Sequence, residues 1–261
     1  MEKRLEVRNL SKSFGRKGYE TPVLKNIQMD VYERDFIAIM GPSGAGKTTL
    51  LNLLSTLDTP SGGEIFLDGQ EITKMKNKEL SILRRDKIGF IFQDYNLLDN
   101  MTLQDNIALP LSLNGKKSSQ IINLVQQMAE SFGLEKHLQK YPYQLSGGQK
   151  QRAASARALI TKPKILFADE PTGTLDSKSS RDLLECLKTV NQDGKATMFM
   201  NQKLGATILM VTHDAFSASY AKQVYFLKDG SIQCRLNSRG DRKAFYEEII
   251  TMLVTIGGDG E

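Results

Sequence analysis

Residues 41–57 read GPSGAGKTTLLNLLSTL, and the first eight fit the pattern G-x-x-x-x-G-K-[ST]. An apolar run at 36–40 precedes them, and apolar residues at helical spacing follow from Leu50 onward. Glycines let successive backbone N–H groups curl towards one point, and the helix that follows adds the positive end of its dipole. The stretch therefore predicts a phosphate-binding loop between a strand and a helix.

Two side chains of this loop are predicted to bind the nucleotide and its metal ion. Lys47 can reach the β- and γ-phosphates of a nucleotide, and the Thr48 hydroxyl can bind Mg²⁺. A glycine-rich turn without a ligand is the alternative, and the strand before and helix after the loop disfavour it. The predicted nucleotide contacts here are Gly41, Pro42, Ser43, Gly44, Ala45, Gly46, Lys47, Thr48 and Thr49.

A second predicted strand, KILFADEP at 164–171, ends in two acids. A buried parallel strand delivers its last residues to the sheet edge where ligands bind. We predict that Asp169 holds Mg²⁺, directly or through water, and that Glu170 is the general base that polarises the attacking water. Two solvated acids at a strand end are the alternative, which the phosphate loop in the same chain disfavours.

Predicted strands and helices alternate along the chain, which indicates an α/β fold with a largely parallel sheet. Residues 94–163 are mostly helical in pattern and predict an inserted helical subdomain. The segments SGGEIFLDGQEI and VYFLKDGSIQCRL predict hairpins around Asp-Gly turns. A candidate amphipathic helix covers 242–253.

Composition excludes several classes of protein. The 261 residues carry 35 basic and 30 acidic side chains, and the net charge of +5 is scattered, so no nucleic-acid partner is predicted. No apolar run approaches the ~18 residues that span a bilayer, and MEKRLEVRNL has no signal-peptide core, so we expect a cytosolic protein. Two cysteines, Cys186 and Cys234, and two histidines, His137 and His213, have no metal-site spacing.

The run LSGGQKQR at 145–152 resembles the signature of the ATP-binding-cassette (ABC) ATPases. Further landmarks match in order over residues 4–235: Phe14 in LSKSFG, Gln93 in FIFQDYN, Asp176 in GTLDS and His213 in VTHD. The resemblance implies a P-loop NTPase (RecA-like) core with a mostly parallel central sheet, an N-terminal antiparallel β subdomain and an inserted helical subdomain. It also implies ATP and Mg²⁺ as ligands, an ATPase domain at 1–235 and a helical tail at 236–261.

The family resemblance assigns roles to these landmarks. Phe14 would stack on adenine, although a lone phenylalanine is more often a core residue. Gln93 would contact Mg²⁺ or the attacking water, His213 would act as the switch histidine, and Asp176 would be the D-loop aspartate. His137 has no such context and is predicted to be a half-exposed structural residue. The predicted catalytic residues are Glu170, His213 and Gln93, and the predicted metal ligands are Thr48, Gln93 and Asp169.

The signature turn implies a second copy of the chain. Ser146, Gly147 and Gly148 form an N–H-rich, helix-capping turn suited to a γ-phosphate, and Gln149 completes the predicted contact. The chain needs no second anion site for its own nucleotide. In the family two cassettes dimerise head to tail, so the resemblance implies a homodimer in which each signature binds the partner's ATP.

The run FQDYNLLDNMTLQDNIALPL and the tail resemble cassettes of the bacitracin type, which couple to large-loop permeases of antimicrobial-peptide resistance. This implies an integral-membrane permease partner and a cytoplasmic location on the inner face of the membrane. Cassettes of lipoprotein release, of macrolide efflux or of no transport at all are the alternatives. Candidate permease contacts are Tyr95, Leu97, Leu98 and Met101, with burial inside the helical subdomain as the alternative.

The sequence departs from the family pattern in three places. Arg34-Asp35 replaces a common turn glycine, and Thr174 stands where small or amide residues are usual. The third departure is a near-repeat, NQDGKATMFM at 191–200 and NQKLGATILM at 201–210. Only the second copy is followed by Thr-His-Asp, so residues 207–211 are predicted as the core strand. The first copy is predicted to be a dispensable excursion, whose residues 198–200 either fold back on the preceding helix or form an apolar surface patch.

Overall fold

The computed structural model describes residues 2–16, 18–191 and 205–257. The chain folds into two compact units, one of Met1–Ile82 with Thr207–Glu261 and the other of Leu83–Ala206. Within the described ranges, no helix has both the length and the apolar character needed to cross a membrane.

The first unit contains an antiparallel sheet with the strand order β2-β1-β4-β5. Alternating apolar residues explain the burial of β1, since Leu5, Val7 and Leu10 lie in the core and the residues between them face outward. Asp68 and Gly69 join β4 to β5 with positive φ angles of 50° and 74°, so the hairpin predicted here is confirmed. The strands are β1 (Lys3–Arg16), β2 (Tyr19–Tyr32), β4 (Gly62–Leu67) and β5 (Gln70–Glu71).

The backbone of Asn9 lies so close to Gly63 in this sheet that replacing the glycine is expected to destabilise the fold. A Cβ atom at Gly63 (φ 87°) would lie 2.4 Å from the Asn9 carbonyl oxygen, whereas one at Gly69 (φ 74°) would meet nothing within 4 Å. Both positions are left-handed, so each alanine costs about 1 kcal/mol, and Gly63→Ala adds a backbone clash. We expect Gly63→Ala to lower the free energy of unfolding by about 3 kcal/mol in denaturant titrations. If Gly69→Ala lost as much stability as Gly63→Ala, the sheet would relax around the new Cβ atom at position 63 and the predicted clash would add no cost.

The first unit also holds a set of mostly parallel strands in the order β10-β9-β3-β8. Every residue of β3 and of β8 is buried, which is typical of a parallel strand covered on both faces. Helix α8 packs through the buried side chains Phe245 and Ile249. The elements are β3 (Phe36–Met40), α1 (Lys47–Leu54), β8 (Thr207–Val211), α7 (Ala215–Ala218), β9 (Gln223–Lys228), β10 (Ser231–Asn237) and α8 (Arg242–Gly257).

Among its described residues, the second unit combines a pair of parallel strands with several helices. Strands β6 and β7 pair in register from Ile88 opposite Ile165 to Ile91 opposite Ala168. Helix α2 (Asn77–Lys87) spans the boundary of the two units, and among its residues only Leu83 is buried. The other elements are β6 (Ile88–Ile91), α3 (Leu103–Leu113), α4 (Ser118–Ser131), α5 (Gly147–Leu159), β7 (Ile165–Asp169) and α6 (Ser177–Asn191).

These elements confirm the predicted α/β class, with mostly parallel strands and an N-terminal antiparallel sheet. Residues 207–211 form β8 beside β3, so the prediction that the second copy of the repeat is the core strand is confirmed. After Asn191, the first copy lies outside the described residues, and so do the predicted excursion at 193–202 and its apolar residues 198–200. The predicted boundaries of the helical subdomain at 94–163 and of the tail at 236–261 stay predictions.

The turn before β3 shows how the chain accommodates a missing glycine. Arg34 has a φ of 63°, in the left-handed region that glycine favours. Its N–H donates to Thr207 Oγ1 at 3.1 Å, and the Asp35 carboxylate accepts the Tyr32 N–H at 2.7 Å. Hydrogen bonds on both sides of the turn therefore hold a non-glycine residue in this conformation.

Candidate nucleotide site

The phosphate loop connects β3 to α1 in the first unit. Gly44 and Gly46 have positive φ angles of 78° and 99°, which turn the backbone sharply into the helix. The N-cap residue of α1 is Gly46, which has no side chain. The N-terminus of this helix therefore donates no hydrogen bond to a capping side chain. A Cβ atom at Gly46 would lie 2.8 Å from Leu24 Cδ2, so a larger residue would require Leu24 to shift and would be strained at a φ of 99°.

Lys47 folds back over this loop. Its side chain is buried, and Nζ donates hydrogen bonds of 2.9 Å to the carbonyl oxygens of Gly41 and Pro42. The ammonium group is thus held at the mouth of the loop, while the Thr48 side chain at the first turn of α1 is exposed. The loop presents a cation, a hydroxyl and a helix N-terminus together, and this combination suits a phosphate group.

His213 leaves the same edge of the parallel strands as the phosphate loop. Strand β8 pairs with β3 up to Val211 opposite Ile39, and the Thr212 N–H donates to the Ile39 carbonyl at 3.1 Å. The carboxyl ends of β3 and β8 therefore coincide, and the exposed His213 follows directly. Asp214, the next residue, caps α7 through the N–H groups of Phe216 and Ser217.

Phe14 also belongs to the first unit and is 47% exposed, so it is a surface residue and not part of the core. The Lys12 ammonium lies 4.7 Å from the centre of its ring. Lys12 also donates to Asp58 Oδ1 and to the Thr59 carbonyl. An exposed ring with one face next to a fixed cation is suited to stacking on a planar base.

The second unit carries the predicted carboxylates. Asp169 is the last residue of β7, and Gln93 follows β6, so both leave the same edge of this parallel pair. Glu170 is half-buried and has a φ of 43°, which is uncommon for a residue with a side chain. The Gly173 N–H holds the Glu170 carbonyl at 3.0 Å. This strained, pinned backbone fixes the direction of the Glu170 side chain.

The signature turn begins α5 with a reciprocal capping box. The Ser146 hydroxyl accepts the Gln149 N–H at 3.3 Å, and Gln149 Oε1 accepts the Ser146 N–H at 2.9 Å. Gln149 Nε2 also lies 3.1 Å from His137 Nε2. His137 was predicted to have only a structural role, and its contact with the signature could not be read from the sequence, since twelve residues separate the two side chains.

Asp176 caps α6 and lies next to the signature turn within the second unit. Its carboxylate accepts the N–H groups of Lys178 and Ser179, each at 3.0 Å, and the Ser179 hydroxyl at 2.7 Å. The Ser179 hydroxyl bond, followed by the backbone bonds, lowers the pKa of Asp176. A Cβ atom at Gly148 would lie 2.7 Å from Ser179 Oγ, so the first turn of α6 packs on this signature glycine.

The residues present fit a nucleotide and Mg²⁺. The donors offered to an anion are the ammonium group of Lys47 and the uncapped N-terminus of α1. Oxygen atoms, the hard donors that Mg²⁺ prefers, are present on Thr48 in the first unit and on Gln93 and Asp169 in the second. The roles assigned to the predicted site residues stay predictions.

Comparison with known proteins agrees with this geometry. The family model for ABC transporters matches residues 24–173. The bacitracin export ATP-binding protein BceA of Halalkalibacterium halodurans is 47% identical over 256 residues, which cover 97% of each chain. The macrolide export ATP-binding/permease protein MacB of Aggregatibacter actinomycetemcomitans is 42% identical over 87% of this chain and 34% of its own length.

A solved structure shows the same fold. The ATP-binding cassette MJ0796, a dimer in a post-hydrolysis state bound to ADP and Pi, superposes with a TM-score of 0.81 at 35% identity. The match covers 91% of this chain and 100% of that one. The resemblance inferred from the sequence motifs is thus confirmed, and the chain belongs to the ABC transporter family.

Proposed function

We propose that this chain is the ATP-binding and ATP-hydrolysing subunit of an ABC transporter that exports antimicrobial peptides of the bacitracin type. The observation that carries the ATPase part is the phosphate loop, where Lys47 Nζ is held by the carbonyl oxygens of Gly41 and Pro42 and the loop leads into the N-terminus of α1. The substrate class rests on the full-length similarity to BceA, which covers more of this chain than the similarity to MacB.

The proposed roles follow from the groups that each residue offers. Lys47 binds the β- and γ-phosphates, and the exposed ring of Phe14 stacks on adenine. Thr48, Asp169 and Gln93 hold Mg²⁺, which neutralises charge on the phosphates when bound. Glu170 accepts a proton from the attacking water, and His213 contacts the γ-phosphate.

The signature turn is proposed to bind the ATP of a second copy of the chain. Ser146 and Gln149 satisfy each other in the capping box, so the turn is rigid before any ligand arrives. Gly147 and Gly148 have no side chains of their own at the start of α5, where a helix N-terminus offers backbone N–H groups that suit a phosphate. The proposed dimer is head to tail, and the dimeric state of MJ0796 supports assembly of this chain as a dimer.

A membrane permease is the proposed second partner, and the subunit is proposed to lie on the cytoplasmic face of the membrane. Of the four candidate contacts, Leu98 is 40% exposed, while Tyr95, Leu97 and Met101 are half-buried. The fully buried Asn106 fixes this loop. Its amide nitrogen donates to the carbonyls of residues 98, 101 and 102, and its oxygen accepts the Leu98 N–H at 2.8 Å. Leu98 is therefore an apolar group presented on a rigid loop.

Cysteine crosslinking tests the proposed docking surface. A cysteine at Leu98 is expected to form a crosslink to a co-expressed large-loop permease in membranes, because the loop is rigid and the position is exposed. The native thiols give little background, since burial raises the pKa of Cys186 to about 12 and also raises the pKa of Cys234. Crosslinked product is measured by gel shift, with and without the permease.

A cysteine at Ile122 on α4 is the matched control, since this apolar residue is 59% exposed but lies outside the predicted surface. Equal crosslinking from both positions would mean non-specific contact. Labelling of soluble proteins alone from position 98 would contradict the permease as partner and favour a cassette that does not take part in transport.

A further inference from the structure

Two consecutive residues after Gln93 adopt left-handed backbone conformations, Tyr95 with a φ of 61° and Asn96 with a φ of 48°. Such conformations are sparsely populated and persist only where the surroundings hold them. Arg157 of α5 supplies that hold, because its guanidinium donates to the Asn96 carbonyl at 2.5 Å and to the Tyr95 carbonyl at 2.9 Å. The strained turn is thus clamped by the helix that begins at the signature.

The side chain of Tyr95 reaches the first residue of the same helix. A Cβ atom at Gly147 would lie 3.1 Å from Tyr95 Oη, so the phenol oxygen lies directly against the backbone of the signature turn. Tyr95 therefore contacts α5 at two places, since its carbonyl accepts a hydrogen bond from Arg157 and its hydroxyl packs against Gly147.

The Tyr95 hydroxyl also binds the loop that follows Glu170. It shares a hydrogen bond of 2.8 Å with Thr174 Oγ1. This gives a partner to Thr174, the residue that departs from the family pattern in this loop. The neighbouring glycine, Gly148, is packed by Ser179, whose hydroxyl donates to Asp176. Both signature glycines therefore pack against hydroxyl groups that are hydrogen-bonded to residues 174 and 176.

We propose that Tyr95 is a positioning residue whose hydroxyl bond to Thr174 sets the signature turn against the 172–176 loop. Movement of the turn after Gln93 would then shift both segments together. The inference rests on the proposed function in one respect, namely that the signature turn and Glu170 act on ATP. It adds a hydroxyl pair that neither the phosphate loop nor the predicted catalytic residues include.

The hydroxyl pair can be tested by removing single atoms. Tyr95→Phe and Thr174→Val are each expected to lower kcat for ATP about 3- to 10-fold, the effect of one lost hydrogen bond at a site that must be placed accurately. The affinity of the isolated subunit for ATP should not change, because Tyr95 and Thr174 lie outside the phosphate loop. The double variant should be no slower than either single variant, since one bond is lost in all three.

Three comparisons separate positioning from a general loss of structure. Thr174→Ser keeps the hydroxyl and should restore turnover to within about twofold of the wild type. Tyr143→Phe is the matched control, because Tyr143 is 70% exposed, stacks on Tyr141 and should tolerate the change. Additive effects of the two single variants, or wild-type turnover in Tyr95→Phe, would overturn the proposal.

Amide hydrogen exchange without nucleotide makes the test independent of ATP hydrolysis. Tyr95→Phe is expected to speed exchange at residues 147–148 and 173–176, because both segments lose their shared contact. Unchanged exchange in both segments would overturn the inference even if the chain hydrolyses ATP. Absence of turnover in the wild type, by contrast, would refute only the proposed function.

Discussion

Glu170→Gln is expected to lower kcat for ATP hydrolysis about 10²- to 10⁴-fold, the range of a general base, while ATP still binds. Glutamine keeps the size of the side chain but cannot accept the proton of the attacking water. The backbone should not move, because the φ of 43° at Glu170 is held by the hydrogen bond from the Gly173 N–H. With phosphate contacts intact and hydrolysis blocked, a closed dimer should accumulate in ATP and be visible by size-exclusion chromatography.

Glu185→Gln is the matched control for this substitution. Glu185 is an exposed residue of α6 in the same compact unit, so the same chemical change there should leave turnover within about twofold of the wild type. If Glu170→Gln hydrolysed ATP at the wild-type rate, Glu170 would not be the base. If it lost turnover but stayed monomeric in ATP, the proposed role of the signature turn in a homodimer would be wrong.

The sequence predicted the elements whose pattern is local. Strand β8 was placed at 207–211 because only this copy of the repeat precedes Thr-His-Asp, and the structure has it at Thr207–Val211. The phosphate loop was predicted between a strand and a helix, and it connects β3 to α1. In both places a sequence motif lies directly beside an apolar run. The position of the element could therefore be predicted without knowledge of the tertiary packing.

Elements with a polar pattern were missed. Helix α2 was not predicted, because its sequence NKELSILRRDK buries only Leu83 and shows no apolar stripe. Strand β2 begins at Tyr19 with four exposed residues, which belong to the strand because their backbone pairs with β1. Backbone pairing of this kind leaves no periodic signal in the sequence.

The candidate site was predictable only where a motif names a residue. The list of phosphate-loop, carboxylate and signature residues came from motifs, but the contacts that support them did not. His137 against Gln149, and Tyr95 against Thr174, join positions that are 12 and 79 residues apart. Contacts between distant residues depend on tertiary packing, and one sequence without its fold carries no signal for them.

Lys47→Ala is expected to weaken ATP binding about 10- to 150-fold, the equivalent of the ~1.5–3 kcal/mol of a hydrogen bond to a charged group. The ammonium group is buried at the mouth of the loop, where a phosphate would meet it with little solvent screening. Without the ammonium group, the carbonyl oxygens of Gly41 and Pro42 also lose their hydrogen bonds from Lys47, because the alanine side chain has no donor. Calorimetric titration with ATP measures the affinity, and thermal unfolding without nucleotide shows whether the fold survives.

Lys222→Ala separates the phosphate contact from the loss of a lysine in general. Lys222 Nζ also donates to a backbone carbonyl, that of Arg34, at 2.5 Å. Arg34 precedes β3 and Lys222 precedes β9, so this contact lies at the amino ends of the parallel strands, whereas the phosphate loop leaves the carboxyl end of β3. Lys222→Ala should therefore bind ATP like the wild type, although it removes the same net charge. Equal affinity in Lys47→Ala and the wild type would contradict the assignment of residues 41–48 as the nucleotide-binding loop.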